Sequence, residues 1–128
     1  MNIIGIGVDI VDNYRIKASI VNKKFLEKIY SKEEINNSKN IVNKVGYYSK
    51  RFAVKEAFSK ALGTGFRFGL NFKDISVIND KKGKPFIKID NKVKLLIKKK
   101  FRVKNTNILM SISDEKKHSI AFVIIEKK

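Results

Sequence analysis

Two stretches of this sequence put carboxylates where folding alone does not demand them: Gly5-Ile-Gly-Val-Asp9-Ile10, and the block from Arg51 through Glu56 and Lys60 to Gly65. Read as a strand, the first stretch points Ile4, Ile6, Val8 and Ile10 to one face and Gly5, Gly7 and Asp9 to the other. Glycine weakens a strand, so two on one face imply close approach of a backbone or a ligand. Asp9 is then an acid at the floor of a small depression; a cap or turn at the strand end accounts for it equally well.

The second stretch predicts a helix from about Tyr48 to Leu62, closed by Gly63. At helical pitch Ala53, Val54, Ala57, Phe58, Ala61 and Leu62 form a broad apolar face that belongs to a core. Opposite lie Lys55, Glu56, Ser59 and Lys60, and Phe52 falls among them, one turn before Glu56. This polar face reads in two ways. Either Phe52 packs under another element and Glu56 with Lys60 is a solvated pair worth about 0.3 kcal/mol, or the face is a ligand site. In the second reading Glu56 serves a metal, Lys60 a phosphate and Phe52 a flat ring.

These residues carry a resemblance. The opening Gly-Ile-Gly-Val-Asp-Ile-Val with Arg15 shortly after, the Arg51 to Gly65 block, Gly83-Lys84-Pro85 and the closing Ser111-Ile-Ser113 are similar to the small holo-acyl-carrier-protein synthase type of 4'-phosphopantetheinyl transferase. Order, spacing and total length fit, and the likeness is thinnest from about Lys32 to Gly46. It implies transfer of the phosphopantetheine arm of coenzyme A to a serine hydroxyl of apo acyl carrier protein, with release of 3',5'-ADP, in support of fatty acid biosynthesis. It also implies a homotrimer with active sites at the subunit clefts.

By the same resemblance Asp9 and Glu56 match the family's magnesium-binding acids, and Lys60 matches its phosphate-contacting lysine, with Lys55 as a second candidate cation. A leaving phosphate that accumulates charge needs such groups. Arg51, Phe52, the Gly63 to Gly65 turn, Gly83, Lys84, Pro85 and Ser111 are placed near the coenzyme A. The carrier protein is placed on the first helix, where Arg15 is followed by Lys17, Lys23, Lys24 and Lys28, with Phe25 as an apolar anchor. Some family members carry a histidine where this chain has Asp114. That residue either joins Asp9 and Glu56 in a three-carboxylate site or caps the last hairpin.

The elements that must position these groups read as one domain of α+β class, an antiparallel sheet with packed helices, which 128 residues can build around a substantial core. Asp12 caps a helix through about Asn22, followed by a helical turn with Phe25, Leu26, Ile29 and Tyr30 inward. Ser31 and Glu34 form a capping box. Strands near Asp74 to Ile78 and Pro85 to Ile89 flank a turn with Gly83 at its left-handed position. Val93, Leu96, Ile97 and Phe101 recur at helical spacing, and strands at Ile108 to Ser113 and Ser119 to Glu126 close the chain. The run from Ile120 to Ile125 is expected to be buried on both faces, as at a subunit interface. His118 falls in a charged surface loop.

A net charge of +17 raises the question of a nucleic-acid or membrane partner. Lysine outnumbers arginine 25 to 4, however, a bias spread over the whole surface, and no base-reading motif accompanies it. A nucleic-acid-binding module would leave Asp9 and the Lys-Glu helix without purpose, and a catalytically idle carrier-binding subunit would have lost Asp9 or Glu56. Neither a membrane nor a nucleic acid is expected as partner. The apolar N-terminal run carries Asp9 and has no charged region ahead of it, which argues against a signal peptide. With no cysteine, the chain suits a reducing cytoplasm.

Overall fold

The computed structural model describes residues 2–128. Strand β1 (Asn2–Asp12) leads into three short helices, α1 (Asn13–Ser19), α2 (Lys23–Ile29) and α3 (Lys32–Asn37), and then the long α4 (Lys44–Leu62). A hairpin of β2 (Ile75–Asn79) and β3 (Pro85–Ile89), helix α5 (Asn91–Phe101), and a second hairpin of β4 (Thr106–Asp114) and β5 (His118–Lys127) complete the chain. The α+β class with antiparallel pairing is as expected. The strands divide into two sheets, however: β1-β5-β4, and the separate β2-β3 pair.

Local chemistry sets the element ends. The Asp12 side chain accepts from the Tyr14 amide and starts α1, which ends at Ser19; Asn22, expected inside that helix, instead caps α2 by accepting from the Lys24 amide. Ser31 and Glu34 make the reciprocal capping box of α3. Helix α4 begins one turn earlier than expected because the Asn43 side chain accepts from the Gly46 amide, and it ends as expected on Gly63 at φ 76°. In the first hairpin turn, the Asp80 carboxylate accepts from the Lys82 and Lys84 amides, and Gly83 takes φ 86°.

The depression expected beside Asp9 is filled by helix α4. A methyl group added at Gly5 would overlap the Ala61 carbonyl oxygen, and one at Gly7 the Ala57 carbonyl oxygen. The glycines therefore let a helix backbone lie directly on a strand. This contact buries Ala53, Val54, Ala57, Phe58, Ala61 and Leu62 against Val11 and the inner residues Ala121, Val123 and Ile125 of β5.

The expectation that β5 is buried on both faces is corrected. Ile120 and Phe122 lie on the outer face, in register with Ile10 and Val8 of β1, and Leu109 of β4 lies opposite Ile124. Ile6, Val8, Ile10 and Leu109 are all about half exposed or more, so this apolar sheet face is uncovered within one chain.

Candidate active site

Strand β1 and helix α4 bring Asp9, Glu56 and Lys60 together. Because the two glycines place β1 on the helix backbone, Asp9, next on the same strand face, meets α4 in its last two turns. The Lys60 ammonium lies 3.0 Å from Asp9 Oδ1 and donates to the Val8 carbonyl at the same distance. Glu56 sits one turn earlier, half-buried. Its carboxyl is held above the usual carboxylate range, first by burial and then by the Asp9 charge, while Lys60 and Arg15 oppose the shift. Lys60 therefore pairs across to Asp9, in addition to its place one turn from Glu56.

Asp9 and Glu56 are the residues that could hold a divalent cation, at a place where the Lys60 ammonium now contacts Asp9 Oδ1 and the Val8 carbonyl. Two carboxylates repel each other across a partly desolvated gap, and a carbonyl oxygen is adjacent. Among the described residues no cluster of three or more His, Cys, Asp or Glu side chains is present. The donor set matches a magnesium site that takes one or two carboxylates and completes its shell with water and phosphate oxygens.

Three residues of the predicted polar face turn out to be buried. Lys55 is fully buried, and its ammonium donates to Glu34 Oε1 at 2.7 Å and to the carbonyls of Phe72 and Ile75. It therefore anchors α4 to α3 and β2 and is not a second free cation. Ser59 donates to the Glu56 carbonyl within the helix. Phe52 is buried, its ring stacked between Phe72 at 5.6 Å and Phe25 at 6.4 Å, so the first of the two readings of this ring describes its packing. Arg15 lies over the same ring at 5.8 Å and reaches the field of Glu56, which puts it at the edge of the carboxylate pair.

A second group of expected site residues lines a groove of about 410 Å³ around Arg51, Gly83, Pro85, Ile112 and Asp114. Arg51 is its chemical centre. The guanidinium packs on the Tyr47 ring at 3.6 Å and donates to the Tyr47 and Val77 carbonyls and to Asn79. It is nearly buried, yet no carboxylate partners it among the described residues. Such a cation is suited to an anionic ligand.

The remaining predicted residues are dispersed. Gly63 and Gly65 form the left-handed exit of α4, where the Gly65 amide donates to the Ser59 carbonyl. Lys84 is exposed beside the turn. Ser111 faces outward on β4, opposite Phe122, on the sheet face turned away from α4. On α2, Lys24 and Lys28 are exposed and Phe25 is half-buried. Asp114 joins neither Asp9 nor the hairpin turn: Glu115 takes the turn bonds from the Lys117 amide and the His118 ring, and Asp114 borders the Arg51 groove.

Glu34 is the functional support that sequence reasoning missed. Its Oε1 accepts from the Ser31 amide and from Lys55, and its Oε2 from the Val77 amide. The capping-box motif located it but carried no signal of the lysine 21 residues away.

This combination of fold and site defines a class. Residues 5–123 match the model of the 4'-phosphopantetheinyl transferase superfamily, and the chain belongs to that family. The holo-[acyl-carrier-protein] synthase of Pelagibacter ubique is 57% identical over the whole of both chains. Among solved structures, that of Neisseria meningitidis holo-[acyl-carrier-protein] synthase superposes with a TM-score of 0.87 at 35% identity, covering 98% of this chain and 99% of that one. The Bacillus anthracis holo-(acyl-carrier-protein) synthase, solved in complex with CoA (3',5'-ADP), gives 0.82 at 33% identity over the whole of both chains.

Proposed function

We propose that this protein is a holo-[acyl-carrier-protein] synthase: it transfers the 4'-phosphopantetheine arm of coenzyme A to a serine hydroxyl of apo acyl carrier protein and releases 3',5'-ADP, in support of fatty acid biosynthesis. The observation that carries the reading is the meeting of Asp9, Glu56 and Lys60 at the contact of β1 and α4. The serine oxygen forms a bond to the pyrophosphate phosphorus as the bond to the leaving phosphate breaks. Lys60, already directed at this point by Asp9, offsets the charge on the departing oxygen. The serine proton has an acceptor in the same cluster, a carboxylate of the Asp9–Glu56 pair. Magnesium held by these carboxylates would neutralise the phosphate oxygens.

Arg51 is suited to a phosphate of coenzyme A, with Gly83 and Pro85 as neighbouring walls. That groove contains none of Asp9, Glu56 or Lys60, and Ser111 lies on the opposite sheet face. The separation supports sites formed between copies, and the uncovered apolar face of β1, β5 and β4 supports burial in a homotrimer. Arg15 with Lys24, Phe25 and Lys28 supports docking of the acidic carrier beside the carboxylates. A cytoplasmic location belongs to the same reading.

Mass spectrometry of an apo carrier protein incubated with this protein, coenzyme A and magnesium tests it. The expected result is the phosphopantetheine mass increment on the carrier; an unmodified carrier under conditions where a known synthase acts would overturn the reading.

A further inference from the structure

A concavity of about 710 Å³ lies away from both parts of the candidate site, between α2, α3 and the turn at Lys73. That lies within the range of sites for small organic ligands. Its floor is apolar: Leu26 from α2, Ile35 from α3, and the Tyr30 ring between them. The Tyr30 hydroxyl is already committed to the Tyr48 carbonyl at 2.9 Å, which leaves Asn36 as the uncharged polar side chain in the lining. The rim is cationic. Lys32, Lys39 and Lys73 have no carboxylate partner among the described residues, and the single acid, Glu27, pairs with Lys23 at 3.9 Å.

Lysine is common over this whole surface, so the rim alone would carry nothing. A second lysine-rimmed groove supplies the contrast. It measures about 460 Å³, is bordered by Lys94, Lys98 and Lys104, and has Asn105, Thr106 and Asn107 in its wall. Ile87, Ile89, Ile97 and Ile108 also line that second groove, but most of the surface it exposes is polar, whereas most of the surface the first groove exposes is apolar. An extended peptide laid there would leave its backbone groups largely unpartnered. An unbranched alkyl chain has none to satisfy, and lysine stems extend the apolar wall while their ammonium groups reach an anionic head.

We propose that the α2–α3 groove binds a long-chain carboxylate anion, the alkyl chain against Leu26 and Ile35 and the carboxylate among Lys32, Lys39 and Lys73. The site is separate from the transfer chemistry and does not depend on it.

Titration of the full-length protein with sodium octanoate, decanoate and dodecanoate below their micelle concentrations, followed by calorimetry, tests the assignment. The expected result is one site per chain, tightening about fourfold with each added methylene. Dodecyltrimethylammonium should not occupy it, and coenzyme A should not displace dodecanoate. The exposed double charge reversal Lys32→Glu/Lys73→Glu should weaken dodecanoate at least tenfold without lowering the melting temperature, and Ile35→Asn should remove the dependence on chain length. Non-saturable binding would overturn the proposal. So would binding that both variants leave unchanged, which would place the ligand on the exposed sheet face. Preference for an acidic helical peptide over dodecanoate would assign the groove to a polypeptide and overturn it equally.

Discussion

Lys60 reaches across from helix α4 to Asp9 of strand β1, ammonium to carboxylate at 3.0 Å, and so spans 51 residues of sequence to join the two motifs. The contact exists because Gly5 and Gly7 allow the strand to lie on the helix backbone. Glu56, one turn away, feels the Asp9 charge as repulsion.

Replacing Asp9 or Glu56 with alanine is expected to cut turnover about a hundredfold or more while the fold persists, since neither side chain belongs to the apolar core. Excess chelator should stop the wild-type enzyme, and added magnesium should restore it. Full activity in EDTA would exclude a role for the pair in holding a metal.

Glu56 also makes a prediction about pH. Its folded-state pKa is raised, so its ionisation disfavours the fold. The stability contribution is intact below the unfolded carboxylate pKa and is lost as pH rises through the folded value. Glu56→Gln should therefore raise the melting temperature at neutral pH, and the gain should vanish on acidification below the ordinary glutamate range. A gain that is constant with pH would show that charge is not its cause.

Gly7→Ala forces a methyl group into the Ala57 carbonyl. Displacement of β1 from α4 is expected to cost about 1–3 kcal/mol in denaturant unfolding. It should also lower turnover by separating Asp9 from Glu56. An active, equally stable variant would show that close strand–helix contact does not position the site.

The Glu34–Lys55 pair has no access to water. Lys55→Met leaves a buried carboxylate unpaired and is expected to cost about 3–5 kcal/mol in an unfolding titration. Glu34→Gln added to Lys55→Met should recover part of that loss, because the amide oxygen still accepts one hydrogen bond and carries no charge. Additive losses would rule out coupling between them.

Arg15→Glu should raise the Michaelis constant for carrier protein roughly five- to tenfold and leave that for coenzyme A nearly unchanged, with added salt reproducing the effect on wild type. Equal effects on both substrates would place Arg15 outside carrier docking.

Phe122→Asp on the exposed face of β5 should convert a trimer to monomers in light scattering and abolish transfer. A wild-type protein that is monomeric at micromolar concentration yet active would remove the case for sites between copies.

Signals that close within a few residues were legible in the sequence. The Ser31–Glu34 capping box, the Gly63 helix stop and the Asp80–Gly83 turn satisfy backbone groups locally, so residue type and spacing suffice to locate them. The motifs around Asp9 and Glu56 also marked a family to which the chain belongs. Burial was not legible in the same way. At helical pitch Lys55 and Phe52 looked like members of a polar face, because periodicity records one helix and not what packs around it. Helix α3 supplies Glu34 to Lys55, and Phe25 and Phe72 enclose Phe52.

The sequence by itself determined which residues have chemistry to offer, where most elements begin and end, and that two glycines on one strand face must admit a close neighbour. Only the tertiary structure decided that the neighbour is α4, that Lys60 turns to Asp9, and that Arg51 gathers a different groove with Asp114. It also left the outer sheet face, with Val8, Phe122 and Leu109, uncovered within one chain. Those outcomes depend on contacts between segments far apart in the chain, where close packing selects one partner among many of similar composition.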